Sequence, residues 1–220
     1  MPGAPVLDEI KIIIEDIGKG GGKEPPSGGG GDGEKHGRPG PPSPRRYYTG
    51  IALGIVSILM FFMALASAYL VQRATSNRWV PVHLPAILWA NTMVLLASSA
   101  TMEQARKRLS RADLSGFHTL WRVTTMLGLA FLAGQLVAWR LLVAQGIYVS
   151  TNQGSSFFYI FTAVHGVHLL GGISALIYVY RRNFETAKVS LSIAAEVTSY
   201  YWHFMDGLWL FLLALLYLGK

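Results

Sequence analysis

Polar residues in this chain are gathered between long apolar stretches rather than spread along it. Five windows are apolar and almost free of charge: Tyr47 to Gln72, Leu84 to Met102, Val123 to Trp139, Phe157 to Tyr180, and Val197 to Gly219. Only the fifth holds a formal charge, Asp206. A hydrocarbon layer roughly 30 Å thick asks for about 20 apolar residues of helix, so each window predicts a span. Backbone groups in lipid must be satisfied within their own segment, and no alternating strand pattern is visible, so the spans are predicted as helices. Their expected extents are residues 47–72, 84–102, 121–145, 157–181 and 195–219. Short connections make sequence neighbours antiparallel. The predicted fold is an all-α integral membrane protein, a bundle of five transmembrane helices over residues 47–220.

Residues 1–46 break the pattern. From Gly18 to Arg46 the chain is a Gly/Pro/Ser tract too poor in apolar residues to bury anything, and it predicts a disordered, flexible tail. The start lacks a basic region followed by an apolar run and a small-residue cleavage site, so the first helix is expected to do the targeting. Lysines and arginines in the connections set the orientation. Arg45 and Arg46, then Arg106, Lys107, Arg108 and Arg111, then Arg181, Arg182 and Lys188 fall on one side of the predicted bundle. That side is expected to be cytoplasmic, with the amino terminus inside and the carboxyl terminus periplasmic.

Composition agrees: 51% of the 220 residues are hydrophobic and 14% charged, where a soluble domain carries about a quarter charged. The absence of cysteine excludes disulfides, thiolate metal sites and iron–sulfur clusters. The net charge of +7 lies in short connections beside apolar windows, where lipid headgroups rather than nucleic acid are the neighbours.

Ionisable groups at membrane depth are costly and face protein, so the few present are the informative ones. At 100° per residue, Glu196, Ser199, His203 and Asp206 form one stripe on the last helix. His165 and His168 lie one turn apart on the fourth, with Gly172 on the same side. These two stripes are expected to face each other, with His168 and Asp206 hydrogen-bonded. The bland reading is an intramembrane polar network that fixes helix register. A haem or metal site and a proton or ion path through Glu196, His203 and Asp206 are the functional alternatives. The Glu-x-x-His pairs of a carboxylate-bridged diiron site are missing. Arg181 and Arg182, closing the fourth helix, suit a lipid phosphodiester. Trp202 and Trp209 are expected to pack against neighbouring helices.

Beyond these stripes the residues become specific. Ser156-Phe157-Phe158 leading to Thr162, then His165-Gly166-Val167-His168 and Gly171-Gly172, resembles a segment of subunit III of haem–copper terminal oxidases. Glu196 followed by Tyr201-Trp202-His203-Phe204-Met205-Asp206 and Trp209-Leu210-Phe211 resembles that family's last helix. Ala68-Tyr69-Leu70, Asn91-Thr92, Ser98-Ser99 and Thr101 add weaker agreement. The resemblance covers about residues 47–219 and implies the short, five-helix bacterial form, in the inner membrane.

The family resemblance implies a non-redox supporting subunit of a proton-pumping respiratory oxidase. Such a chain has no catalytic centre and no cofactor of its own, haem and copper lying in partner subunits. It would stabilise subunit I, sit with subunit II, bind phospholipids and support proton uptake. Glu196, His203, Asp206, His165 and His168 match the family's polar positions, and Arg182 a lipid-contacting one. A buried glutamate usual in the first shared helix is replaced here, Ser57 being followed by Ile58. A related auxiliary subunit of a nitric oxide reductase is the nearest alternative, and a small proton-coupled transporter or a membrane cytochrome a more distant one.

Overall fold

A computed structural model describes residues 44–76, 85–181 and 190–218. They form five helices: α1 (Pro44–Thr75), α2 (Ile87–Ser110), α3 (Leu114–Ala144), α4 (Gln153–Arg181) and α5 (Leu191–Leu218). The sequence predicted this number and this order. The glycine-rich tract before Pro44, Trp79 and Arg182 lie outside the described residues.

By length and composition α1, α3, α4 and α5 are apolar enough to cross a membrane. In α2 the last two turns carry Glu103, Arg106, Lys107 and Arg108, and its apolar part is correspondingly short. The helices outrun the apolar windows that announced them. α3 begins at Leu114 rather than at residue 121, and its 31 residues extend about 46 Å at 1.5 Å per residue. Hydropathy marks the part of a helix inside hydrocarbon, roughly 30 Å. Helical hydrogen bonding continues past it into the polar layer. Pro44 to Arg46, expected to belong to the tail, likewise form the first turn of α1, where a proline's missing N–H removes no helical bond.

A tight turn joins α2 to α3. The Asp113 N–H bonds the Arg108 carbonyl and the Ala112 N–H bonds that of Leu109, the reciprocal pair that closes a helix when the intervening residue is left-handed. Ala112 takes that conformation with φ 58°. Asp113 then caps α3 by accepting from the Gly116 N–H at 2.9 Å, and its second oxygen accepts from Arg108 at 2.9 Å. A Cβ on residue 116 would meet the Asp113 carboxylate, so a larger residue there would make the capping side chain shift.

Within the bundle, polar tips of large side chains fix neighbours in place. Trp121 Nε1 donates to the Leu176 carbonyl at 2.9 Å, and Trp139 Nε1 to Thr162 Oγ1 at 3.0 Å, so α3 and α4 are joined at both ends. Thr101 and Thr124 join α2 to α3 at 2.8 Å. The Tyr201 hydroxyl donates to the His168 carbonyl at 2.9 Å, joining α5 to α4. α1 is the least embedded helix. It meets α4 through Phe62 against His168 and through Tyr69 edge-on to Phe157 and Phe161.

Trp202 occupies the centre. Its ring is fully buried, and its Nε1 donates to Ser98 Oγ of α2 at 2.9 Å. The far edge of the indole fills the space a side chain would need at Gly128 of α3, and its near edge that at Gly172 of α4. Four helices therefore meet on one side chain.

Two outcomes follow from this geometry. A Cβ at Gly128 would lie 2.6 Å from Trp202 Cη2, on a rigid ring held at its other end by Ser98. Gly128→Ala should lower the stability of the detergent-solubilised protein by about 1–3 kcal/mol, the usual cost of overpacking. Thermal unfolding checks this. At the exposed α2–α3 turn, the Gly116 N–H and then Arg108 hold the Asp113 carboxyl below the usual carboxylate range. A depressed folded-state value gives stabilisation that is present above the ordinary carboxylate pKa of about 3.9 and lost as pH falls through the folded value. Asp113→Asn keeps a capping oxygen. It should leave stability near neutral pH little changed and flatten its decline across the acid range, measured as melting temperature against pH.

Candidate functional site

The polar stripe of α5 lies against α2. The two run antiparallel, so that as residue numbers rise on α2 their partners' numbers fall on α5. Thr92 Oγ1 accepts from Trp209 Nε1 at 3.0 Å, Ser98 from Trp202, and Ser99 meets both Asp206 and His203. Arg106 reaches Glu196 at 3.8 Å. On α2 the stripe is Thr92, Ser99, Glu103 and Arg106, and on α5 it is Asp206, His203, Ser199 and Glu196. Each is a single helical face.

At one end of this seam Glu196 gathers three helices. Its Oε2 accepts from the Tyr48 hydroxyl of α1 at 2.7 Å, and its Oε1 from Tyr200 at 2.8 Å. Arg106, which also bonds Glu103 at 3.2 Å, lies with its guanidinium carbon 5.6 Å from the centre of the Tyr200 ring. A cavity of about 320 Å³ opens beside them, between the end of α2 and the start of α5, lined by Glu103, Arg106, Lys107, Ser110, Ser192 and Glu196.

About ten residues along α5, roughly 15 Å of helix, lies Asp206. It is buried, 4% exposed. Its Oδ2 contacts Ser99 Oγ, and the same hydroxyl is 2.9 Å from His203 Nδ1. Asp206 Oδ1 and the buried Ser199 Oγ have no hydrogen-bond partner among the described residues.

The paired histidines of α4 are placed differently from one another. His165 is fully buried, set between Phe131 of α3 and Trp209 of α5 at ring distances of 6.2 and 5.3 Å. Neither ring nitrogen has a partner among the described residues. His168 is half-buried, its Nδ1 2.8 Å from the Val164 carbonyl one turn back on its own helix. The expected hydrogen bond between His168 and Asp206 is absent. On α5 the side facing α4 carries Tyr201, about 200° around the helix from His203. Adjacency in sequence suggested α4 as partner for the α5 stripe, but α2 offers hydroxyls at the matching spacing.

Residues that sequence reasoning left out of the site are therefore Thr92, Ser98, Ser99, Arg106 and Tyr48. The signal for three of them was present, since Thr92, Ser99 and Arg106 repeat, together with Glu103, at helical spacing on one face. Tyr48 carried none, because a tyrosine at the head of a span reads as an interfacial anchor. Arg181 is exposed at the end of α4. Among the described residues no group of three or more His, Asp or Glu side chains is arranged to hold a metal ion.

Comparison with known proteins places this arrangement. The family model described as cytochrome c oxidase subunit III matches residues 36–219. A probable cytochrome c oxidase subunit 3 of Nocardia farcinica is 34% identical over 79% of this chain and 88% of the relative. The probable subunit 3 of Mycobacterium tuberculosis is 33% identical over the same shares, and the subunit 3 of a Synechocystis strain 30% identical over 84% of this chain and 80% of its own. The match runs through all five helices and both halves of the α2–α5 seam, and the chain belongs to the cytochrome c oxidase subunit III family, as a membrane subunit of the respiratory chain.

Proposed function

We propose that this chain is a non-redox scaffold of a proton-pumping oxidase, holding the haem–copper subunit I in its working form, bordering subunit II, binding phospholipid and supporting proton uptake. The α2–α5 seam carries the reading. Two carboxylates and the His203 imidazole, which would be costly in lipid, meet hydroxyls and an arginine of the same chain, which makes a stiff, protein-facing wall. The relatives' names are those of oxidase subunits, which favours an oxidase over a nitric oxide reductase as the host complex. Arg181 and Arg182 remain the candidates for lipid phosphate. The excess of basic residues around Arg106 and Arg181 supports a cytoplasmic amino terminus, a periplasmic carboxyl terminus and a place in the bacterial inner membrane.

Affinity capture through this chain from native membranes is expected to bring down a haem–copper protein with oxygen-consuming activity. Recovery without any haem protein would overturn the proposal. Glu196→Ala removes the acceptor of the part-buried Tyr48 hydroxyl, releases the exposed Tyr200 and leaves Arg106 with Glu103 alone. The expected cost is about 1–3 kcal/mol, toward the lower end in a membrane. The complex should then lose this subunit sooner in detergent and inactivate faster in turnover, with its haem absorbance unchanged. Asp206→Ala should be milder, because Ser99 remains to hold His203.

A further inference from the structure

One hydroxyl lies between an acid and a base at membrane depth. Ser99 Oγ contacts Asp206 Oδ2 on one side and His203 Nδ1 at 2.9 Å on the other. A serine hydroxyl has one proton to give and lone pairs to accept with, so it can donate to only one of the two at a time. Two arrangements satisfy all three groups. In the first, Asp206 is the neutral acid, donating from Oδ2 to Ser99, and Ser99 donates to Nδ1 of a neutral imidazole. In the second, protonated His203 donates from Nδ1 to Ser99, and Ser99 donates to the Asp206 carboxylate.

We propose that Asp206, Ser99 and His203 form a proton relay within the span, storing one exchangeable proton and passing it between carboxyl and imidazole through the Ser99 hydroxyl. Passage from the first arrangement to the second breaks the Asp206 Oδ2–H bond and forms a new Ser99 O–H bond. The original Ser99 proton leaves for His203 Nδ1. One proton leaves the carboxyl, one arrives on the imidazole, and the net charge of the unit is unchanged. Moving a proton inside a neutral unit avoids the cost of a lone charge in hydrocarbon.

The surroundings give the relay a direction. Asp206 is buried and His203 half-buried, so His203 is the accessible end. Glu103 and Arg106 of α2 are the charged groups that act on His203. Both also line the cavity beside Glu196, one to two turns from Ser99 along α2. Arg106 is shared between Glu103 and Glu196, and among the described contacts Asp206 has no cation of its own. On α5 the unpartnered Ser199 hydroxyl lies one turn from His203 toward Glu196. From α4, the His168 backbone carbonyl accepts from the Tyr201 hydroxyl of α5, and the buried His165 ring faces Phe131 and Trp209. Of the other ionisable neighbours, Tyr48 of α1 and Tyr200 are bonded to Glu196, and Lys107 lines the cavity. Protons would enter from the cavity at His203 and come to rest on Asp206.

This inference gives a site to the proposed role in proton uptake and rests on that reading only for its purpose. Infrared spectra of the intact oxidase complex test it. The wild type is expected to show a protonated-carboxyl band that Asp206→Asn removes and that shifts on transfer to deuterated water. Ser99→Ala should retain the band while slowing its exchange by about a hundredfold, the low end of what a positioned proton-transfer group contributes. Ser99→Thr, which restores a hydroxyl, should recover the wild-type rate. No band sensitive to Asp206→Asn, or wild-type exchange in Ser99→Ala, would overturn the relay. Oxygen consumption and proton uptake by the same preparations address the supporting role separately. Altered exchange with unaltered uptake would leave the relay in place and remove its link to proton supply.

Discussion

A carboxyl group at membrane depth must meet protein, and in this subunit that requirement decides which helices are neighbours. Asp206 and Glu196 bracket roughly 15 Å of α5, with Ser199 and His203 between them on the same face. Hydrophobic attraction cannot orient that face, because lipid tails are as apolar as leucine. Hydroxyls can. Thr92, Ser98 and Ser99 of α2 present them at a spacing that answers Trp209, Trp202, His203 and Asp206. Once α5 is held against α2, Trp202 is driven into the bundle, where glycine at position 128 leaves room for α3 and glycine at position 172 lets α4 pack closely against Tyr201 and Trp202.

How much of this was legible in the sequence follows from the kind of information each feature needs. Five helices were readable because each span is a local apolar run. Their ends were not, because α3 gains its first two turns from a cap made by Asp113 and Gly116, and hydropathy carries no trace of such a bond. The stripe on α5 was readable from its 3- and 4-residue spacing, whereas its pairing with the stripe on α2 was not. Sequence order puts α4 beside α5, and α4 indeed touches it through Tyr201 and Gly172, but on the other side of the helix. Ser99 shows the limit well. A serine in a span usually bonds its own helix one turn back, as Ser57 and Ser174 do here. Nothing local distinguishes a serine that instead bridges an acid and an imidazole.

The same reasoning bears on α1. Ile58, in the middle of this helix, is partly buried and packed against the core. Ser57 beside it satisfies its hydroxyl on the Leu53 carbonyl of its own helix. The middle of α1 therefore offers the bundle no polar anchor. Attachment falls to the Tyr48 hydroxyl at one end and to the aromatic contacts of Phe62 and Tyr69 further along. The Tyr48 bond to Glu196 is directional, and Glu196 is also where Arg106 of α2 arrives. One glutamate thus sets the position of α1 relative to α2 and α5 together. With isoleucine rather than a carboxyl at residue 58, the tie from α1 to α2 and α5 together runs through the carboxyl at residue 196.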